Sequence, residues 1–145
     1  IGFDTFASFT DSLLDYERNS AKAFVDEALF EGVNPESILK NAKSYGFKNA
    51  ELIAGDVLES IPKYKKENPG FRISLLHLDL DTYNGTKVAL ENFYNLVTPG
   101  GIILLDEYGK RGWGESDAVD EFFKDKNKPI QSIKNSFQPT SFIVK

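Results

Sequence analysis

Two apolar runs that each end in acidic residues constrain this chain more than any other feature. One is Leu75-Leu76-His77-Leu78-Asp79-Leu80-Asp81 and the other is Ile102-Ile103-Leu104-Leu105-Asp106-Glu107. An amphipathic helix and a Thr98-Pro99-Gly100-Gly101 turn lie between them. Strand, helix and strand in that order make a parallel βαβ unit, which brings both carboxyl ends to one edge of a sheet. Open α/β sheets bind ligands at that edge, and clustered carboxylates suit a hard divalent cation such as magnesium or calcium.

The flanking sequence continues the alternation. Residues 1–4 read as the end of a strand, and the polar, aromatic stretch 6–32 holds a helix around 21–30. Asn34-Pro35 opens a clear helix, with an N-cap, proline at the first position and Glu36 in the first turn. Ile38, Leu39, Ala42 and Tyr45 form its apolar face and Gly46 its stop. Residues 51–54 are a short strand ending in Gly55-Asp56. The helix after it is expected to break or restart at Pro62 and to end at Asn68-Pro69-Gly70. Residues 73–79 form a nearly continuous apolar run, as in a strand covered on both faces. Ala89, Phe93, Leu96 and Val97 mark one side of a helix, and 102–105 the next buried strand. Ser116 is expected to cap a helix that turns Ala118, Val119, Phe122 and Phe123 inward. Residues 130–137 and 140–144 read as a closing hairpin. The result is a parallel α/β sheet with an antiparallel finish, in a single domain over 1–145.

Composition narrows the function classes. A formal charge of −5 with no basic stripe argues against nucleic acid as the main partner. No apolar run approaches a membrane span and no signal-peptide pattern opens the chain. Cysteine is absent, which removes disulfides, thiolate metal sites and cysteine nucleophiles. A cytoplasmic protein acting on a small molecule fits best. The chain opens on Ile1 and contains no methionine, so it is read as N-terminally truncated.

Asp79, Asp81, Asp106 and Glu107 all fall at expected strand ends. Together they read as a cation site; singly, each reads equally well as the cap of a following helix. Asp4, at the end of the first strand, occupies the place from which an acid holds a ribose hydroxyl in nucleotide-type sites. Asp56 ends another strand on the same edge. His77, the single histidine, reads first as a packed core residue; under strict alternation it shares a face with Asp79 and Asp81. Trp113, between Gly112 and Gly114, either covers a substrate or anchors its loop.

Leu78-Asp79-Leu80-Asp81-Thr82-Tyr83, Thr86, Leu96-Val97-Thr98-Pro99-Gly100-Gly101 and Asp106-Glu107-Tyr108 together resemble the macrocin O-methyltransferase family. These enzymes are S-adenosylmethionine-dependent and methylate sugar hydroxyls, especially on the deoxysugars of antibiotics. Gly2-Phe3-Asp4-Thr5-Phe6, Gly112-Trp113-Gly114, the helix Ala118-Val119-Asp120-Glu121-Phe122-Phe123 and Ser141-Phe142-Ile143-Val144-Lys145 extend the resemblance over nearly the whole chain. The resemblance implies a Rossmann-like class I methyltransferase sheet with an antiparallel C-terminal hairpin. It also implies that the glycine-rich first strand, central in such sheets, is missing here.

Carried over residue by residue, the resemblance makes Asp79, Asp106 and Glu107 magnesium ligands. Glu107 stands where the family usually has a second aspartate. Asp81 matches the general base, Asp4 with Thr5 binds the cofactor's ribose, and Asp56 with Val57 flanks its adenine, beside Asp79. The stretch 7–32 walls the sugar site. The implied partners are a sugar or glycosylated natural product, or a surface glycan, and a second copy of the chain in a homodimer or larger assembly.

Rival readings remain open. In a haloacid-dehalogenase-like, magnesium-dependent phosphatase Asp79 would be nucleophile and Asp81 acid/base. Thr82, however, directly follows Asp81, and the Pro-Gly-Gly turn has no role in that scheme. A metal-dependent glycosyltransferase with an Asp-x-Asp motif is another enzyme class. A non-catalytic methyltransferase-like fragment is a third class, kept open by the missing first strand.

Overall fold

The computed structural model describes residues 1–28 and 33–145. The elements are β1 (Gly2–Asp4), α1 (Asp15–Ala28), α2 (Pro35–Ser44), β2 (Leu52–Ala54), α3 (Val57–Glu67) and β3 (Ile73–Leu78). They continue with α4 (Tyr83–Phe93), β4 (Val97–Leu105), α5 (Glu115–Phe123), β5 (Gln131–Ser132) and β6 (Ser141–Val144). β1 pairs in parallel with β2. A four-stranded sheet runs β3-β4-β6-β5, with β3 and β4 parallel and the last two strands antiparallel.

The core lies between the larger sheet and the layer of α3, α4 and α5. Leu78, Ile103, Leu105 and Ile143 point from alternate strand positions into Leu90, Ala89, Phe93, Ile61 and Val119. Each such side chain contributes about 1.5–3 kcal/mol by leaving water. The expectation that β3 is covered on both faces is corrected. Leu75, Ile102 and Val144 stand in one register row on the opposite face, and they are 58%, 39% and 40% exposed.

The two sheets do not join. Among the described residues β1 pairs only with β2, and β3 pairs only with β4 on its ladder side. Between β1 and β3 runs a groove of about 550 Å³, lined by Ile1, Phe3, Leu52, Ile73, Leu76 and Phe93 among others. Phe3 holds the ribbon to the helical layer through Tyr64 and Phe93, at ring distances of 5.3 and 5.5 Å. The groove separates the β1–β2 ribbon from β3, the edge strand of the larger sheet.

Several local expectations shift. The helix expected around 21–30 starts at Asp15, and Leu29 and Phe30 lie outside the described residues. Asn34 caps α2 as expected, accepting from Glu36 and Ser37 N–H, yet α2 buries no residue and Tyr45 is exposed. α3 runs unbroken through Pro62, with Ile61 beside it buried against the core. Leu96 and Val97 leave the α4 helix: Tyr94–Leu96 is a 3₁₀ turn and Val97 begins β4. The Pro99-Gly100-Gly101 turn becomes an irregularity inside β4, with Gly100 at φ +79° and the ladder shifting register between Ile73 and Leu75. The first strand of the closing hairpin shrinks to Gln131–Ser132, leaving Phe137 exposed. No helix among the described residues is long and apolar enough to cross a membrane.

Candidate active site

β3 ends at Leu78 and β4 at Leu105, and Asp106 N–H donates to Leu78 O at 3.0 Å. That bond continues the parallel ladder past both strand ends and sets Asp79 and Asp106 side by side. The chain after Asp79 then turns sharply. Asp81 adopts φ +57°, a left-handed conformation that aspartate tolerates better than most residues. Thr82 caps α4 by accepting from Gly85 N–H. This turn lifts the Asp81 carboxyl off the strand and points it toward Glu107.

The ligand-capable atoms of His77, Asp79 and Asp106 all lie within 4.8 Å of one another. His77 Nε2 is 3.0 Å from Asp106 Oδ1. Burial, then the Asp106 charge, pushes the Asp79 carboxyl up from its ordinary range. Burial and a hydrogen bond to the Glu107 carboxyl push Asp81 up to about 8, with the charges of Glu107 and Asp79 adding to the effect. Two carboxylates repel, so each member of the pair opposes ionisation of the other. Burial also raises Glu115 to about 8, with Asp81, Glu107 and Asp106 as its acidic neighbours.

Glu107 is buried, and its Oε1 accepts from Lys110 Nζ and from Gln138 Nε2. Glu107 Oε2 and Glu115 Oε2 are buried oxygens that no N–H or hydroxyl donor reaches among the described residues. Orphaned buried carboxylate oxygens beside carboxyls that resist ionisation describe a site with surplus negative charge. A hard divalent cation, which takes oxygen ligands, fits that donor set. The tightest triad contains His77 in the place expected for Glu107, whose nearer commitments are to Lys110 and Gln138.

Next to this cluster lies a pocket of about 250 Å³ lined by Asp4, Thr5, Asp56, Val57, Asp79 and Asp81, among others. Every residue expected at the cofactor and base positions therefore faces one cavity. Asp56 serves as a cap as well, accepting from Leu58 N–H at 2.9 Å. Asp4 Oδ1 accepts from Phe6 N–H at 2.7 Å. Phe9 and Phe24 form part of the pocket wall, and Trp113 packs behind them at 5.5 and 6.5 Å between ring centroids. Trp113 is thus a buried loop anchor.

Two expectations near the site are corrected. His77 is exposed rather than packed in the core, because it lies on the bare face of the sheet. Ser116 does not cap α5; its hydroxyl accepts from Gly109 N–H, and Gly114 occupies the cap position. Glu17 and Glu115, both fully buried, were not singled out by the sequence. An acid in the first turn of a helix ordinarily interacts with the helix dipole at the surface, so nothing local marks either as buried.

The sequence matches the macrocin O-methyltransferase (TylF) family over residues 2–137. A Streptomyces olivaceus 8-demethyl-8-(2,3-dimethoxy-alpha-L-rhamnosyl)-tetracenomycin-C 4'-O-methyltransferase is 30% identical over 77 residues, which is 50% of this chain and 27% of that protein. Among solved structures, the calicheamicin methyltransferase CalS11 superposes with a TM-score of 0.72 at 27% identity, over 99% of this chain and 58% of that one. The O-methyltransferase NovP shares the fold, with a TM-score of 0.80 at 21% identity over 99% of this chain and 58% of its own. The chain thus spans little more than half the length of these solved relatives. With a class I methyltransferase fold and a family match over nearly its whole length, this chain belongs to the macrocin O-methyltransferase family.

Proposed function

We propose that this chain carries the cation, base and cofactor-ribose and adenine positions of an S-adenosylmethionine-dependent O-methyltransferase acting on a sugar hydroxyl. The observation that carries this reading is the convergence of Asp4, Thr5, Asp56, Val57, Asp79 and Asp81 on one pocket, beside an acidic cluster with unpartnered oxygens. The acceptor is a deoxysugar of a glycosylated natural product, or a surface glycan, the first in line with the family and the named relatives.

In this reading Asp4 and Thr5 hold the ribose of S-adenosylmethionine, while Asp56 and Val57 bracket its adenine. S-Adenosylmethionine supplies the electrophilic methyl group. Asp79 and Asp106, with Glu107 or His77, would hold a magnesium ion, and the chemistry it would supply is Lewis-acid polarisation of an oxygen. Asp81 takes the proton of that hydroxyl on a carboxylate oxygen. A carboxyl held near 8 is a stronger base than an ordinary aspartate once it is ionised. The walls of the pocket mainly contribute alignment.

The test is transfer of labelled methyl from S-adenosylmethionine to a panel of nucleotide-linked and glycosidic deoxysugars, with magnesium or with chelator. Asp81→Asn is expected to abolish transfer while S-adenosylmethionine binding, followed by calorimetry, stays within about threefold. Transfer at an undiminished rate in Asp81→Asn would remove the base assignment. Hydrolysis of phosphate esters without use of S-adenosylmethionine would favour the phosphatase reading instead.

A further inference from the structure

Glu115 lies outside the residues assigned to cofactor, cation or base, yet it touches both sides of the acidic cluster. It is the first residue of α5 and is fully buried. Its backbone N–H donates to Asp81 O at 3.0 Å, and its Oε1 accepts from Glu107 N–H at 3.0 Å. One bond grips the turn after β3, and the other grips the strand end after β4. The turn it grips holds Asp81 at φ +57°, a conformation that persists only where its surroundings fix it. The start of α5 is closely packed: a Cβ on Gly114 would lie 2.4 Å from Tyr83 N and 2.2 Å from Glu17 Oε1. Glu115 Oε2 has no donor.

We propose that Glu115 is a positioning residue: its side chain clamps the Asp106-Glu107 strand end at a fixed distance from the Asp81 turn. The base and the cation ligands then come to one acceptor oxygen together. The inference rests on the reading of Asp81 as base and of Asp79, Asp106 and Glu107 or His77 as cation ligands. What the clamp requires is an acceptor oxygen at the reach of a glutamate side chain. Glutamine satisfies that requirement, whereas aspartate keeps the charge but falls short.

Three variants separate reach from charge: Glu115→Gln, Glu115→Asp and Glu115→Ala. Mn²⁺ alone is titrated into each by calorimetry, and amide exchange is followed over residues 79–83 and 106–110 without metal. Glu115→Gln is expected to match the parent within about threefold in Mn²⁺ affinity, while Glu115→Asp and Glu115→Ala lose about tenfold or more. The same two variants should speed exchange at Glu107 N–H, and Glu115→Gln should not. Leu90→Ala, a core change remote from the site, should lower stability with Mn²⁺ affinity unchanged. Affinity retained in Glu115→Asp but lost in Glu115→Gln would overturn the clamp, as would unchanged Glu107 exchange in Glu115→Ala. No Mn²⁺ binding by the parent chain would remove the cation reading, while the exchange pattern would still decide the clamp.

Discussion

Glu115→Gln should make the metal-free protein more stable, and increasingly so as pH rises. Burial, with Asp81, Glu107 and Asp106 close by, raises the Glu115 carboxyl from 4.5 to about 8. Below about pH 4.5 both folded and unfolded chains hold this proton, and it contributes nothing to the pH dependence. Between there and about 8 the folded chain keeps a proton that the unfolded chain has released. The folded state binds more protons, so stability falls with rising pH, at about 1.4 kcal/mol per pH unit for one such group. Above about 8 the slope flattens.

Glutamine removes that slope while its carbonyl still accepts from Glu107 N–H. Its amide also brings a donor to the place of the unpartnered Oε2. Asp81 titrates in the same cluster, so the slope is shared among the coupled carboxyls. Between about pH 5.5 and 7.5 the gap between variant and parent should widen by about 1–3 kcal/mol. At a urea m-value of about 1.5 kcal/mol/M this moves the midpoint by about 1–2 M. The assay is urea unfolding in chelator at several pH values, followed by fluorescence of Trp113, which packs against Phe9 and Phe24. Parallel stability curves for variant and parent would refute a buried, proton-holding Glu115.

Other expectations follow from packing and from the cation cluster. Leu90 is fully buried at the centre of the helical layer, so Leu90→Ala should cost about 2–5 kcal/mol, read as a lower unfolding midpoint. His77 is half-exposed but 3.0 Å from Asp106, so His77→Ala should leave the midpoint nearly unchanged. The same variant should weaken Mn²⁺ binding about 10–100-fold by calorimetry, and equal affinity would exclude His77 from the site.

Much of the site was legible because strand ends are marked by chemistry. An apolar run stopping at an acid specifies both the strand and the edge to which the acid belongs, as Asp79 and Asp106 do. The cap at Asn34 is equally readable, since a short polar side chain before a helix has one good use, whereas Asp56, read only as a strand-end acid, also caps α3. The cap at Ser116 was misplaced because Gly109 N–H competes for the same hydroxyl across a loop, a contact no local pattern encodes. Pro62 does not break α3, and the tertiary packing of Ile61 beside it is information the local sequence lacks. The apolar neighbours of His77 point to the core. Alternation gives its side of the strand, but only the tertiary arrangement says that this side is bare. Glu115 carries no sequence signal at all: its role arises where α5 meets two strand ends brought together by the sheet.

Mn²⁺ calorimetry near pH 7 in two buffers of different ionisation enthalpy tests the acidic cluster most directly, with Asp79→Asn and Asp106→Asn alongside. A carboxylate site whose members hold protons must shed them when it takes a cation. The expected result is one Mn²⁺ per chain, an apparent enthalpy that changes with the buffer, and loss of binding in both variants. Binding that survives in both variants, or the absence of any bound Mn²⁺, would contradict a cation site built on the two acidic strand ends.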